Sequence, residues 1–199
     1  MTLPEATPYY DILVRLVAPY HAVLVHFPVA LWTTVPLLVI FRALSDGALA
    51  RAGDKLLVPL LVLSIVAGLA TYSVGFLAFP LDAVAASPLT RNHILGASWS
   101  IAYWTVILIT RWIHRETVWE GTNRWVMVGL MVLGTLLITV TGTLGGHIAG
   151  KPTTVSEILQ WLGWNVYDTF FVPDAMLWVI VASIVALPLL GWLGRRQPA

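Results

Sequence analysis

Long apolar stretches are the feature of this 199-residue sequence that most restricts its fold. Several of them run for about twenty residues or more, the length that an α-helix needs to cross roughly 30 Å of hydrocarbon. Only 11% of the residues are charged and 58% are hydrophobic, which is far from the composition of soluble globular proteins. We therefore expect an all-α integral membrane protein with one membrane domain over residues 1–199.

The length of the chain leaves room for about five transmembrane helices and little else. Loops that carry turn and helix-breaking residues separate the hydrophobic stretches, and no internal repeat is evident along the sequence. The first four spans, within residues 18–150, are predicted to form a four-helix bundle that binds a cofactor. The predicted spans are residues 20–41, 56–79, 94–113, 125–148 and 171–193.

Residues 151–170, between the fourth and fifth spans, are predicted to form an interfacial segment. Thr154 lies three residues before Glu157, which is the spacing of a capping box and predicts a helix that starts near Val155. Tryptophan and tyrosine follow at helical spacing, and these residues favour the headgroup region of a membrane. An ordered loop that packs on a neighbouring subunit is the alternative.

Basic residues gather on one side of the predicted topology, which the positive-inside rule makes cytoplasmic. This rule places the N-terminus outside and the C-terminus in the cytoplasm. The opposite side carries only Arg15, Arg91 and Lys151. The basic residues of the cytoplasmic side are Arg42, Arg51, Lys55, Arg111, Arg115, Arg124, Arg195 and Arg196.

The composition excludes several kinds of site. The chain has no cysteine, so it holds no disulfide, no thiolate metal site, no iron–sulfur cluster and no covalently attached c-type haem. A formal net charge of +1 gives no indication of nucleic-acid binding. The predicted spans leave no room for a separate soluble domain, so any chemistry must lie within the membrane or at its edge.

Four of the five histidines converge on the external end of the predicted bundle. His21 and His26 lie in the first third of span 1, in the run APYHAVLVHFPVALW, while His93 opens span 3 and His147 closes span 4. The fifth, His114, lies at the cytoplasmic end. Ionisable groups at membrane depth are costly without partners and mark functional sites by default.

The spacing of these histidines favours haem over a bare metal ion. Two histidines of one helix that share a metal stand four positions apart. His21 and His26 stand five apart, which turns them by roughly 140° around the helix, although Pro28 could distort it. Histidines on different helices suit the two axial positions of haem iron in a bundle. We expect His21, His26, His93 and His147 to ligate one or two b haems, with His26 paired to His147 and His21 to His93.

Small and basic residues near these histidines support a haem site. Gly142, Gly145 and Gly146 precede His147 and would let a flat macrocycle lie against the helix, close helix packing being the alternative. Arg91 lies on the same side and could neutralise haem propionates, lipid phosphates being its alternative partners. Quinone is a second candidate ligand.

The runs HAVLVHFPVALW and GTLGGHIAG resemble the bacterial membrane proteins grouped as domain of unknown function family 2231. The resemblance covers about residues 18–150 and implies a four-helix membrane bundle that takes part in electron transfer, sometimes with Rieske-type partners. It places the chain in a bacterial inner membrane. Ala22 and the run IAG depart from the pattern, in which proline often follows the first histidine and a longer apolar tail follows the last. The positions that carry the resemblance are His21, His26, Phe27, Pro28, His93, Gly145, Gly146 and His147.

We expect a b-type cytochrome-like subunit that carries electrons between a quinone pool and a periplasmic or membrane redox partner, within a larger respiratory complex. With no soluble domain and no recognisable acid–base dyad, an electron-transfer subunit is favoured over a self-contained enzyme. One alternative is a zinc or copper site that uses three of the four histidines. The other is a cofactor-free accessory or assembly subunit whose histidines bridge helices or bind quinone.

Overall fold

The chain folds into helices joined by short connections. A computed structural model describes residues 8–79, 86–169 and 174–194, and this part of the chain contains no β-strand. Short 3₁₀ turns lie at Ala18–Tyr20 and Arg115–Trp119. The helices are α1 (Pro8–Val17), α2 (His21–Leu44), α3 (Ala48–Asp54), α4 (Leu57–Ala78), α5 (Pro88–His114), α6 (Asn123–Ile148), α7 (Thr154–Trp161) and α8 (Asp174–Gly194).

Four helical segments are long and apolar enough to cross a membrane, so the predicted all-α membrane class is confirmed at this level. They are Val14–Leu44, Ala48–Leu77, Pro88–Trp119 and Asn123–Ile148, and they match the first four predicted spans.

The fifth predicted span corresponds to α8, Asp174–Gly194, which is not among the four segments found long and apolar enough to cross a membrane in the described part of the chain. Residues 171–173 of that span, and the C-terminal Arg195 and Arg196, lie outside the described residues. The fifth crossing therefore stays a prediction.

The four long helices α2, α4, α5 and α6 form a ring in which α2 and α5 are diagonal. Each of these two helices packs on both α4 and α6, and α8 packs on the outer side of α5. Trp32 of α2 and Trp104 of α5 meet at the centre as stacked rings, with centroids 6.1 Å apart and planes 10° from parallel. A Cβ atom on Gly68 or Gly134 would lie 2.7 Å from one of these indoles. Glycine therefore lets α4 and α6 approach the central pair closely.

A buried ion pair closes one end of the ring, which we call the arginine end after Arg42, Arg111 and Arg124. Arg111 donates to both carboxylate oxygens of Asp54, at 2.8 and 3.3 Å, and Trp119 Nε1 donates to the same carboxylate at 3.2 Å. The guanidinium carbons of Arg42 and Arg111 lie 5.2 and 5.9 Å from the centroid of the Trp119 ring. The buried charges at this end thus have polar or aromatic partners.

The short helix α7 begins at Thr154, one residue before its predicted start. The N-cap is Thr153, and no side-chain capping bond forms, so the expected capping box with Thr154 is wrong. The reason is that the Thr153 hydroxyl lies 3.0 Å from the Thr143 hydroxyl and ties the segment to α6 instead. Trp161 is 92% exposed, and its placement at a membrane interface stays a prediction.

Candidate functional site

His21 and His93 are held by the same kind of hydrogen bond. Nδ1 of His21, at the start of α2, lies 3.1 Å from the carbonyl oxygen of Thr71 in α4. Nδ1 of His93, in the second turn of α5, lies 3.1 Å from the carbonyl oxygen of Thr141 in α6. A carbonyl only accepts, so each Nδ1 carries the proton and each Nε2 keeps its lone pair. Among the described residues, no hydrogen bond uses either Nε2.

A glycine lies against each of these imidazoles. Gly75 follows Thr71 by one helical turn, and a Cβ there would lie 2.9 Å from Cε1 of His21. Gly145 follows Thr141 by one turn, and a Cβ there would lie 3.0 Å from Cε1 of His93. Only glycine leaves room for the rings in these positions, so the backbone of the neighbouring helix fixes where each ring lies.

The helix pairs α2–α4 and α5–α6 therefore repeat one unit. The first helix of each pair carries a histidine and, eleven positions later, a central tryptophan, at His21 and Trp32 and again at His93 and Trp104. The second helix carries the threonine whose carbonyl accepts the histidine proton and, four positions later, the glycine behind the ring. These paired spacings are the signal that sequence reasoning missed when no repeat was evident.

This repeat gives His21 and His93 equivalent places in the bundle. They lie on the two diagonal helices at the end of the bundle opposite the arginine end, which we call the histidine end. Both rings present Nε2 as their uncommitted atom, which is the usual arrangement of a histidine that ligates a metal.

His26 and His147 have different surroundings from this pair. His26 is exposed, and its Nδ1 lies 2.7 Å from the carbonyl oxygen of Ala22 in its own helix. His147 closes α6, and its Nδ1 lies 2.8 Å from the hydroxyl of Tyr167. Nε2 of His147 is buried without a hydrogen-bond partner in the described part of the chain. No hydrogen bond or ring contact joins His26 to His147 among the described residues, so their pairing stays a prediction.

The predicted glycines and Arg91 also occupy distinct places. Gly145 backs His93, whereas Gly146 lets the chain fold back after α6, because a Cβ there would lie 2.7 Å from the Lys151 carbonyl oxygen. Gly142 is exposed and has no atom within 4 Å of its Cβ position. Arg91 is buried near the start of α5 and takes part in at least one interaction. Its role towards haem propionates stays a prediction.

Haem and a bare metal ion need different numbers of ligands from the protein. Within the described residues, no group of three or more histidine, cysteine, aspartate or glutamate side chains is placed to hold one. Zinc and copper sites in proteins usually need at least three such ligands. Haem needs only two axial ligands from the protein, because the macrocycle supplies the other four.

No family model, no curated protein and no solved structure matches this chain. The chemistry of the site must therefore be inferred from its own residues and their geometry.

Proposed function

We propose that this chain is a b-type cytochrome-like membrane subunit in which His21 and His93 ligate the haem iron. The matched pair of Nδ1–H bonds to the Thr71 and Thr141 carbonyls carries this proposal. Each bond fixes the tautomer in which Nε2 can coordinate a metal, and it holds the ring in place. The haem, when bound, supplies one-electron transfer.

The residues around the pair fit such a group. The repeated glycines bring α4 and α6 against the two rings, and the interior of a helix bundle is a common place for haem. Arg91 lies two residues before His93 in α5 and is the candidate partner for a propionate. A second haem would need His26 and His147, whose present contacts differ from those of the first pair.

The orientation and setting follow from charge and composition. Arg42, Arg111 and Arg124 at the arginine end support a cytoplasmic location for that end. The haem then lies near the external face, with five spans, the N-terminus outside and the C-terminus in the cytoplasm of a bacterial inner membrane. In this setting the subunit passes electrons between a quinone pool and a periplasmic or membrane partner in a larger complex. Its membership of domain of unknown function family 2231 is part of the same proposal.

A second candidate function rests on the same two hydrogen bonds. They join α2 to α4 and α5 to α6, so the histidines could serve only to hold helices together in a cofactor-free accessory subunit. The two candidates differ in a single property, which is the presence of a pigment.

The deciding experiment is a dithionite-reduced minus oxidised visible spectrum of the purified full chain, with haem, zinc and copper measured per polypeptide. We expect the sharp bands of a six-coordinate b haem, lost in His21→Ala and in His93→Ala. His114→Ala, which changes an exposed histidine at the arginine end, is the matched control and should keep the bands, whereas His26→Ala tests for the predicted second haem. A haem-free chain after expression with ample haem would overturn the cytochrome proposal. Stoichiometric zinc or copper would then favour a non-haem site, and the absence of both would favour the accessory subunit.

A further inference from the structure

A groove between α5 and α6 lies beside the His93 half of the site. Its volume is about 240 Å³, and Asn92, Gly96 and Trp99 of α5 form one wall. Val140 and Thr141 of α6 form the other wall, and Trp164, from the segment after α7, contributes at the histidine end. The α5 wall extends from Asn92 to Trp99, about 10 Å along the helix.

The groove opens towards the lipid-facing side of the bundle. Trp99 is 42% exposed, and it belongs to a segment long and apolar enough to cross a membrane. A molecule that reaches the groove from this side must therefore be soluble in the bilayer. The walls are mainly apolar, and the two indoles offer flat surfaces on which a ring can pack.

Asn92 lines the groove and carries a polar atom without a partner in the described part of the chain. It is only 2% exposed, and its Nδ2 donates to the Thr169 carbonyl oxygen at 2.6 Å. Because that carbonyl can only accept, the amide is held with its nitrogen towards Thr169. Its Oδ1 is buried and has no hydrogen-bond partner among the described residues. A buried acceptor without a donor is costly, so a ligand that fits here brings a hydroxyl or N–H group.

The groove and the histidine share one structural element. Thr141 lines the groove with its side chain, and its carbonyl accepts the proton of His93 Nδ1. Gly96 makes this possible, because a Cβ at that position would collide with the Thr141 hydroxyl. Thr141 therefore contacts both the groove and the His93 ring.

We propose that this groove binds the ring of a membrane quinol, with a ring hydroxyl donating to Asn92 Oδ1 and the ring packed between Trp99 and Trp164. A quinol meets all the requirements above, since it is bilayer-soluble, flat and a hydroxyl donor. The choice of quinol over other amphiphiles with a hydroxyl rests on the proposed function, in which electrons come from or go to a quinone pool. The binding site itself rests on the groove and on Asn92.

Photolabelling tests the site without relying on haem. The full chain, in phosphatidylcholine nanodiscs, is irradiated with a diazirine-bearing benzoquinol, and labelled positions are found by peptide mass spectrometry. We expect label within residues 92–99 and 137–144 that decylbenzoquinol displaces. Asn92→Leu should weaken the apparent affinity about fivefold, as the loss of one hydrogen bond predicts.

A second variant covers the case in which Asn92→Leu disturbs folding through Thr169. Val140→Phe fills the groove, leaves the Asn92–Thr169 bond in place and should abolish the label. Leu136→Phe adds the same ring one turn earlier at a position that is 56% exposed, and it should leave the label unchanged.

The outcomes separate the two proposals. Label that maps elsewhere or survives Val140→Phe overturns the quinol site, and so does equal labelling of the same positions by a diazirine-bearing phosphatidylcholine. Specific label in a chain that carries no haem supports the quinol site while the cytochrome proposal fails.

Discussion

At the scale of single residues, two glycines set the distance between each candidate ligand and the helix beside it. The ring of His21 lies against Gly75 and that of His93 against Gly145, and in both places a methyl group would come within about 3 Å of Cε1. The sequence drew attention to the histidines and to Gly145, because side-chain chemistry is visible in it. The Thr71 and Thr141 carbonyls that hold the rings could not be predicted, since every residue has a backbone carbonyl.

Replacing either glycine by alanine separates steric fit from helix propensity. Alanine favours a helix interior by up to about 1 kcal/mol over glycine, so a stability gain is the default expectation. We expect Gly75→Ala and Gly145→Ala instead to shift the visible spectrum or lower haem content, because the added methyl group displaces the ring. Gly129→Ala, in the same helix as Gly145 and with open space around it, is the control that should keep full haem content. Equal haem content in all three variants would refute the close fit.

At the scale of helices, different interactions hold the helices together at the two ends of the bundle. Neutral hydrogen bonds to backbone carbonyls link the helices at the histidine end. At the arginine end the ion pair between Asp54 and Arg111 is buried, with the two side chains 5% and 8% exposed. The sequence predicted that basic residues gather at this end. It did not predict that α3 inserts Asp54 among them, because an acidic residue in a loop is usually solvated.

Breaking the buried Asp54–Arg111 ion pair should cost far more stability than breaking the Asp46–Arg42 pair beside it. Asp54→Asn leaves Arg111 with only the exposed Glu116 carboxylate, 3.4 Å away, as an ionic partner, and we expect a loss of about 3 kcal/mol in the free energy of unfolding. Thermal unfolding of the purified chain in detergent, followed by circular dichroism, measures the difference. Asp46→Asn, at a carboxylate that is 62% exposed, is the matched control and should lower the melting temperature much less. Similar losses in the two variants would contradict the assigned role of burial.

The contribution of the control residue, Asp46, to stability depends on pH. A hydrogen bond from Arg42 is the main reason that the pKa of Asp46 is lowered, with the charges of Arg124 and Arg51 adding to it. A carboxylate with a depressed folded-state pKa stabilises the fold above its unfolded pKa of about 4, and this contribution is lost as the pH falls through the folded-state value. We therefore expect the difference in melting temperature between the parent chain and Asp46→Asn to shrink on acidification below about pH 4. A constant difference down to pH 2 would argue against the Arg42–Asp46 bond.

At the scale of the whole molecule, the sequence predicted the class of fold better than its internal organisation. Four membrane-length helices follow directly from hydrophobic runs, since length and composition are local properties. The repeat of α2–α4 in α5–α6 depends on contacts between distant residues and on a few shared positions, so local patterns did not reveal it. The fifth crossing stays a prediction, because residues 171–173 of that span lie outside the described residues.

The absence of cysteine from the chain allows a direct test of its orientation. A single cysteine can be introduced at Glu120, between α5 and α6 at the arginine end, or at Lys151, after α6 at the histidine end. Both positions are exposed. In intact cells, a membrane-impermeant maleimide should label Lys151→Cys and should label Glu120→Cys only after the membrane is opened. The reverse pattern would invert the proposed topology.

The repeated unit also has a consequence for the order in which the protein is made. Each histidine is anchored inside its own helix pair, so the first pair can fix His21 on Thr71 before α5 and α6 have been synthesised. The second pair then brings His93 already fixed on Thr141. Trp32 and Trp104 meet only when the two pairs dock, and this contact is the step that completes the site. We therefore expect a prosthetic group to be captured late in biogenesis, between two halves that have each finished folding.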